Sequence, residues 1–150
     1  MAFAKQTKGT YGARVPVTLM KWMRPMLTRM HRRSGNTYQG MQVLYLHTVG
    51  AKSGKLRTTP VAYLPDGDSW LITASVGGAA HHPDWYHNIA AHPDNVAIDL
   101  GGHPIAVHPT QLQGAERDEA FTRIAAAMPN FGDYQSKTDR ILPVIRLTRA

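Results

Sequence analysis

The segment Gly50-Ala51-Lys52-Ser53-Gly54-Lys55-Leu56-Arg57-Thr58-Thr59-Pro60 gathers three cations, three hydroxyls and two glycines between two apolar runs. Glycines let a backbone turn inward so that N–H groups converge on an oxyanion, while lysine and arginine supply charge and hydroxyls supply further donors. A phosphate fits that inventory best. The spacing is not that of an ATP-type P-loop, because the Gly-x-x-x-x-Gly-Lys-Ser/Thr step is missing and the segment runs into a strand pattern rather than a helix. The residues suggest a phosphorylated cofactor on a β scaffold; a solvated basic hairpin loop is the alternative with the same composition.

Ala74-Ser75-Val76-Gly77-Gly78-Ala79-Ala80 carries small residues apart from Val76, so its backbone can come close to something flat. Its N–H groups could bond the carbonyls and ring nitrogens of a planar heterocycle, or the stretch could be a plain loop. His81-His82-Pro83-Asp84-Trp85-Tyr86-His87-Asn88 then opens a short helix, with Pro83 near its first turn, Asp84 favourable to its dipole and Trp85 as a wall or core anchor. The eight histidines do not make a metal site: no His-x3-His pair lies on an expected helix, no carboxylate is spaced as a third ligand, and cysteine is absent. No Gly-x-Ser-x-Gly elbow exists.

These groups must be positioned by 150 residues, the length of one domain. Residues 1–65 hold eleven Lys/Arg and no Asp or Glu, whereas the remainder, with six Lys/Arg against ten Asp/Glu, carries −4. The basic first half suits an anionic partner, and without interleaved aromatics or a recognition helix that partner is not nucleic acid. Zero cysteines exclude disulfides and fit a reducing cytoplasm. Lys21, Arg24, Pro25 and Arg29 interrupt the apolar stretch at 15–30, which rules out a spanning helix there.

Residues 1–40 read as a polar arm followed by an amphipathic helix, with Leu19, Trp22, Met23, Met26, Leu27 and Met30 on one stripe and Lys21, Arg24 and Arg32 apart from it. That helix, within 15–33, is either a lid on the core or a contact with an anionic membrane surface. Residues 41–150 read as the folded domain. Strands are expected at 42–48, 59–64, 70–74, 95–100, 105–110 and 141–147, the last an edge or bulged strand because of Pro143. A helix starts near Ala115 and stops at Pro129 and Gly132. Hairpins outnumber βαβ units, so the fold class is α+β, mainly β: a six-stranded antiparallel barrel, closed or split, with flanking helices.

The two constellations, with Asp66-Gly67-Asp68 between them and Asp133-Tyr134-Gln135 and Thr138-Asp139-Arg140 after them, resemble the deazaflavin-dependent nitroreductase family in order and spacing from about residue 40 to the end. That resemblance implies a split β-barrel oxidoreductase that binds reduced coenzyme F420, a deazaflavin with a phosphate and an oligoglutamate tail, and transfers a hydride to a quinone, a nitro compound or an activated C=C bond. It implies phosphate and tail contacts from Lys52, Ser53, Arg57, Thr58 and Thr59, and ring contacts from Pro60, Val61 and Ala62. The backbone of Ala74, Ser75, Val76, Gly77 and Gly78 would meet the ring's polar edge, Trp85 and Asn88 would belong to a supporting helix, and Tyr134 would border the substrate, with it or a bound water delivering the accompanying proton. Phe131 and Ala62 stand where nitroreducing members tend to carry tyrosines, which leaves the acceptor open. Two alternatives are a non-catalytic F420 carrier and a split-barrel protein using FMN. The resemblance is consistent with a cytoplasmic protein, at most peripheral at the inner face of the cell membrane.

Overall fold

The computed structural model describes residues 5–6, 8–9, 37–38, 41–75, 78 and 81–150. The expected helix within 15–33 and the ring-edge candidates Val76 and Gly77 lie outside the described residues.

Strands form where apolar residues alternate. β1 (Thr37–Tyr38) extends β2 (Met41–Val49), and β2 pairs antiparallel with β3 (Leu56–Asp66), Leu44 facing Val61 and Tyr45 facing Pro60. β4 (Ser69–Thr73) returns from β3 through Gly67, at φ +60°, and Asp68. β5 (Val96–Leu100) and β6 (His103–Gln111) are joined by Gly101-Gly102, whose φ values of +60° and +86° a two-residue hairpin of the primed type needs. β7 (Val144–Arg149) lies between β4 and β6. The order is β1-β2-β3-β4-β7-β6-β5, and β5 pairs back onto β2, closing β2–β7 into a six-stranded antiparallel barrel.

Alternation produces two apolar cores. Leu44, Leu46, Ile72, Ile98 and Ile145 fill the barrel together with Trp85 and Ile89 of α1 (Asp84–Ala91). On the outside, Leu71 and Val144 lie beneath Ala120 and Ile124 of α2 (Gly114–Ala127) and Phe131 of α3 (Pro129–Ser136). β4 is buried on both faces, so adjacent Leu71 and Ile72 serve different cores.

Three expectations need correction. β3 begins at Leu56 rather than Thr59, because Arg57 and Thr58 are paired with Thr48 and His47 of β2. Pro129 does end α2, but it is also the first residue of α3, where its missing N–H costs nothing, and Gly132 sits inside that helix. The last strand is central, not an edge: Pro143 stands just before β7, and its carbonyl accepts the Ala74 N–H at 2.9 Å.

One irregularity positions the site. β3 pairs with β4 only over Tyr63–Asp66, while from Leu56 to Ala62 it has β2 alone as a neighbour among the described strands. Pro60, which has no donor for a ladder, falls in that one-sided stretch. The β3–β4 ladder stops at Tyr63 and Ile72, whereas β4 still follows β7, the Ala74 N–H donating to the Pro143 carbonyl one step beyond the Thr73–Val144 pair.

Candidate active site

The connection from β2 to β3 is a loop folded on itself. Gly50 N–H donates to the Lys55 carbonyl at 2.8 Å, Gly54 N–H to the Gly50 carbonyl at 3.0 Å, and Lys55 N–H to Ser53 Oγ at 3.2 Å. Gly54 favours glycine because its φ is +68°, and a β-carbon on Gly50 would crowd the Ser53 hydroxyl. Ser53 Oγ uses one lone pair within the loop and keeps its proton for an outside acceptor. Lys52, Lys55 and Arg57 are exposed, and none forms an ion pair among the described residues. No carboxylate precedes Asp66 in the chain to neutralise them.

Asn88 of α1 anchors this loop. Its Oδ1 accepts the Ala51 N–H at 2.9 Å, and its Nδ2 donates to Thr48 Oγ1 at 3.2 Å. Asn88 is 8% exposed and Thr48 fully buried, so the bond to Thr48 is made away from water, while the bond to Ala51 lies at the edge of the exposed loop. Trp85, one turn earlier on the helix, is buried in the barrel core. The expected supporting role of this helix therefore has a concrete form: Trp85 packs it, and Asn88 ties it to the loop.

β3 divides the next candidates between its two faces. Val61 points into the barrel core, while Ala62 packs on the outer side against the cluster that contains Phe131, on which Tyr134 also packs. Thr58 and Pro60 share the outer face with Ala62, and Thr58 Oγ1 is 2.9 Å from His47 Nδ1. The contiguous run Thr58–Ala62 thus presents Thr58, Pro60 and Ala62 to one side and Thr59 and Val61 to the other.

After β4, Ala74 is buried, Ser75 N–H donates to the Thr73 carbonyl at 3.0 Å, and Gly78 N–H donates to the Ser75 carbonyl at 3.0 Å. Gly78 has φ +85°, and a β-carbon there would lie 2.4 Å from the Tyr134 carbonyl oxygen. Gly78 is consequently pressed against α3, which brings the ring-edge segment to the tyrosine. Tyr134 is half-buried and stands edge-on to Phe131, centroids 5.4 Å apart, with Lys137 Nζ 5.9 Å from its ring centre. Phe131 is only 5% exposed and is mainly an anchor of α3.

The residues fit a deazaflavin. The loop offers cations without an ion pair, and the Thr73 hydroxyl, at the point where the β3–β4 ladder ends, is buried without a hydrogen-bond partner among the described residues. A buried hydroxyl of that kind calls for an acceptor.

A family model described as F420H(2)-dependent quinone reductase matches residues 19–149. The chain belongs to that family. It is 42% identical over 109 residues to an F420H(2)-dependent quinone reductase of Mycobacterium tuberculosis, 71% of this chain and 72% of that one. Among solved structures, an F420-H2 dependent reductase superposes with a TM-score of 0.63 at 34% identity, covering 70% of this chain and 92% of its own. HutZ, a heme storage protein from Vibrio cholerae, superposes at 0.53 with 13% identity over 85% of this chain and 90% of its own, a likeness of fold alone. This F420H(2)-dependent quinone reductase family member is accordingly an oxidoreductase whose cofactor is F420 rather than FMN, and its class is that of reductases rather than carriers.

Sequence reasoning gave no role to Arg140, His82, Gln135 or Arg117, all of which the structure places in polar contacts within the fold. Arg117 Nε and Nη2 donate to the Leu142 carbonyl, and Gln135 Oε1 accepts from Arg117 Nη2 and from Leu142 N–H. Arg140 entered the sequence analysis only within the Thr138-Asp139-Arg140 motif, and nothing local marked it or Arg117 as buried. Among the described residues, no three His, Asp or Glu side chains stand close enough to hold a metal ion.

Proposed function

We propose that this chain holds reduced F420 along β3, its phosphate and oligoglutamate at Lys52, Ser53, Arg57, Thr58 and Thr59, and its ring between Pro60-Val61-Ala62 and the backbone of residues 74–78. The hydride acceptor is a small quinone bordered by Tyr134 and Phe131. The reduced deazaflavin supplies the hydride, and the chain's task is to hold donor and acceptor in contact in a water-poor cleft. The Tyr134 phenol, or a bound water, delivers the accompanying proton. Ala62 and Phe131 bring no hydroxyl, which suits a flat, weakly polar quinone better than a nitro compound.

The observation that carries this reading is the different character of the two ends of one strand. From Arg57 to Ala62, five residues of extended chain span about 17 Å. At one end are cations in water without an ion pair among the described residues, and at the other Ala62 packs on the apolar outer cluster of Phe131, on which Tyr134 also packs. A flat ring carrying an anionic tail needs that difference.

Among the described residues no helix is long and apolar enough to cross a membrane. The basic stripe within 15–33 is the segment we assign to peripheral contact with anionic lipid at the cytoplasmic face, where a lipid-dissolved quinone would be met. Liposome flotation checks it: equal recovery with neutral and anionic vesicles favours the lid instead.

Titration of F420 by fluorescence tests the grip. Losing one charge-assisted bond weakens binding by about ten- to a hundredfold, so Arg57→Ala should do so. An Arg57→Ala protein that binds as tightly as the parent defeats the assignment. Oxidation of F420H2 by menadione and by a nitroimidazole then ranks the acceptors.

A further inference from the structure

Arg140 enters the fold between α3 and β7 and is 1% exposed. Its guanidinium donates from Nη1 to the Ala74 carbonyl at 2.7 Å and from Nη2 to the Ser75 carbonyl at 2.6 Å. Nη1 also lies 2.8 Å from His82 Nδ1. A guanidinium can only donate, so His82 Nδ1 accepts and the imidazole proton is on Nε2, which donates to the Gln6 carbonyl at 2.9 Å. The backbone of Arg140 is fixed as well: its N–H donates to Thr138 Oγ1 at 3.0 Å, and its carbonyl accepts from Gln135 Nε2 at 2.7 Å.

A planar fork that grips two successive carbonyls sets two successive peptide planes relative to each other. Burying such a cation is costly, and burial lowers the Arg140 pKa to about 10. The pinned peptides belong to the segment whose backbone the cofactor reading lays along the ring.

We propose that Arg140, backed by His82, is the positioning residue that holds the Ala74 and Ser75 peptides in place as the wall on which the deazaflavin ring packs. The inference rests on the reading that lays the ring along residues 74–78. It makes ring recognition depend on a side chain that sits behind the peptides, and it separates that recognition from the tail contacts of Lys52 and Arg57. The second pin on the same segment is Gly78, held against the Tyr134 carbonyl.

The test uses two fluorescent probes, whole F420 and its ring-ribityl fragment without phosphate or tail, on the parent, Arg57→Ala, Arg140→Lys and Arg140→Met proteins. Arg57→Ala should weaken whole F420 and leave the fragment unchanged. Arg140→Lys and Arg140→Met should weaken both probes by the same factor, about tenfold or more, and shift the absorption maximum of the bound ring. Thermal melts identify the folded variants. If neither Arg140 variant folds, His82→Leu, which removes the Nδ1 acceptor and leaves the guanidinium, carries the same comparison. Equal weakening of both probes supports the proposal. A folded variant that binds the fragment with parental affinity and an unshifted spectrum overturns it and leaves the cofactor reading standing, whereas a parent protein that binds no F420 overturns both.

Discussion

Replacing Asn88 by alanine removes the link between α1 and the basic loop without touching a charge. Two neutral hydrogen bonds are lost, to Ala51 N–H and Thr48 Oγ1, each worth about 0.5–1.5 kcal/mol net. Thr48 is fully buried, so its hydroxyl is left to find another partner, and a small void replaces the amide. The combined cost is about 2–4 kcal/mol, equivalent to a fall in Tm of about 6–12 °C for a domain of this size. The loop itself stays closed by its internal bonds at Gly50, Gly54 and Lys55, but it is no longer held against the helix. Cofactor binding must then restore that order, which weakens affinity by about three- to tenfold. Asn88→Asp keeps the acceptor for Ala51, loses the donor to Thr48 and adds a negative charge beside the anion grip, so it should bind F420 more weakly than Asn88→Ala. Thermal melting of the free protein and fluorescence titration at two salt concentrations read the two effects separately. A Tm within about a degree of the parent would show that these bonds contribute nothing. A lowered Tm with undiminished affinity in both variants would show that the loop is not the tail's seat.

Other consequences can be checked on the same preparations. Gly78→Ala places a β-carbon 2.4 Å from the Tyr134 carbonyl at φ +85°, so stability should fall by about 1–3 kcal/mol and α3 should shift; a parental melting curve refutes the close contact. Tyr134→Phe should leave F420 affinity intact and lower kcat for quinone reduction by about a hundredfold if the phenol is the proton donor, and an unchanged kcat transfers that role to water. Burial pushes the Asp66 carboxyl pKa up, but hydrogen bonds from Arg123 and Arg146 outweigh burial and hold it below the usual carboxylate value. A pKa depressed in the folded state stabilises above the unfolded value of about 4 and is lost as pH falls through the folded one. Asp66→Asn should therefore cost about 0.5–1 kcal/mol in urea unfolding at pH 7 and progressively less as pH is lowered below about 4, and a pH-independent cost refutes the ion pairs.

The barrel was legible because its signals are local. Alternating Leu44 and Leu46, the turn at Gly67 and the paired glycines at 101–102 each act over a few residues, and hairpins chained in order leave few ways to close a sheet. Boundaries were not legible where distant partners decide them. Arg57 and Thr58 read as loop by composition and are strand because β2 extends far enough to pair them. Pro143 suggested an edge, but the ladder of β7 starts one residue later, between β4 and β6. Within the site, the loop residues were visible as a cluster of types, whereas Asn88 and Arg140 act through backbone atoms 37 and 65–66 residues away, a separation no local pattern reports.

The charges of this protein are sorted by their exposure. Lys52, Lys55 and Arg57 stand in water, where solvent screens them, so they attract and hold an anionic tail with an affinity that salt erodes. Arg140 donates to the Ala74 and Ser75 carbonyls and to His82 Nδ1 inside the wall, where salt does not reach it. Raising ionic strength should therefore weaken whole F420 and leave the ring-ribityl fragment almost untouched. That asymmetry requires two binding subsites joined by β3, and equal salt sensitivity of the two probes would mean that the loop's cations and the cleft are not one cofactor's seat.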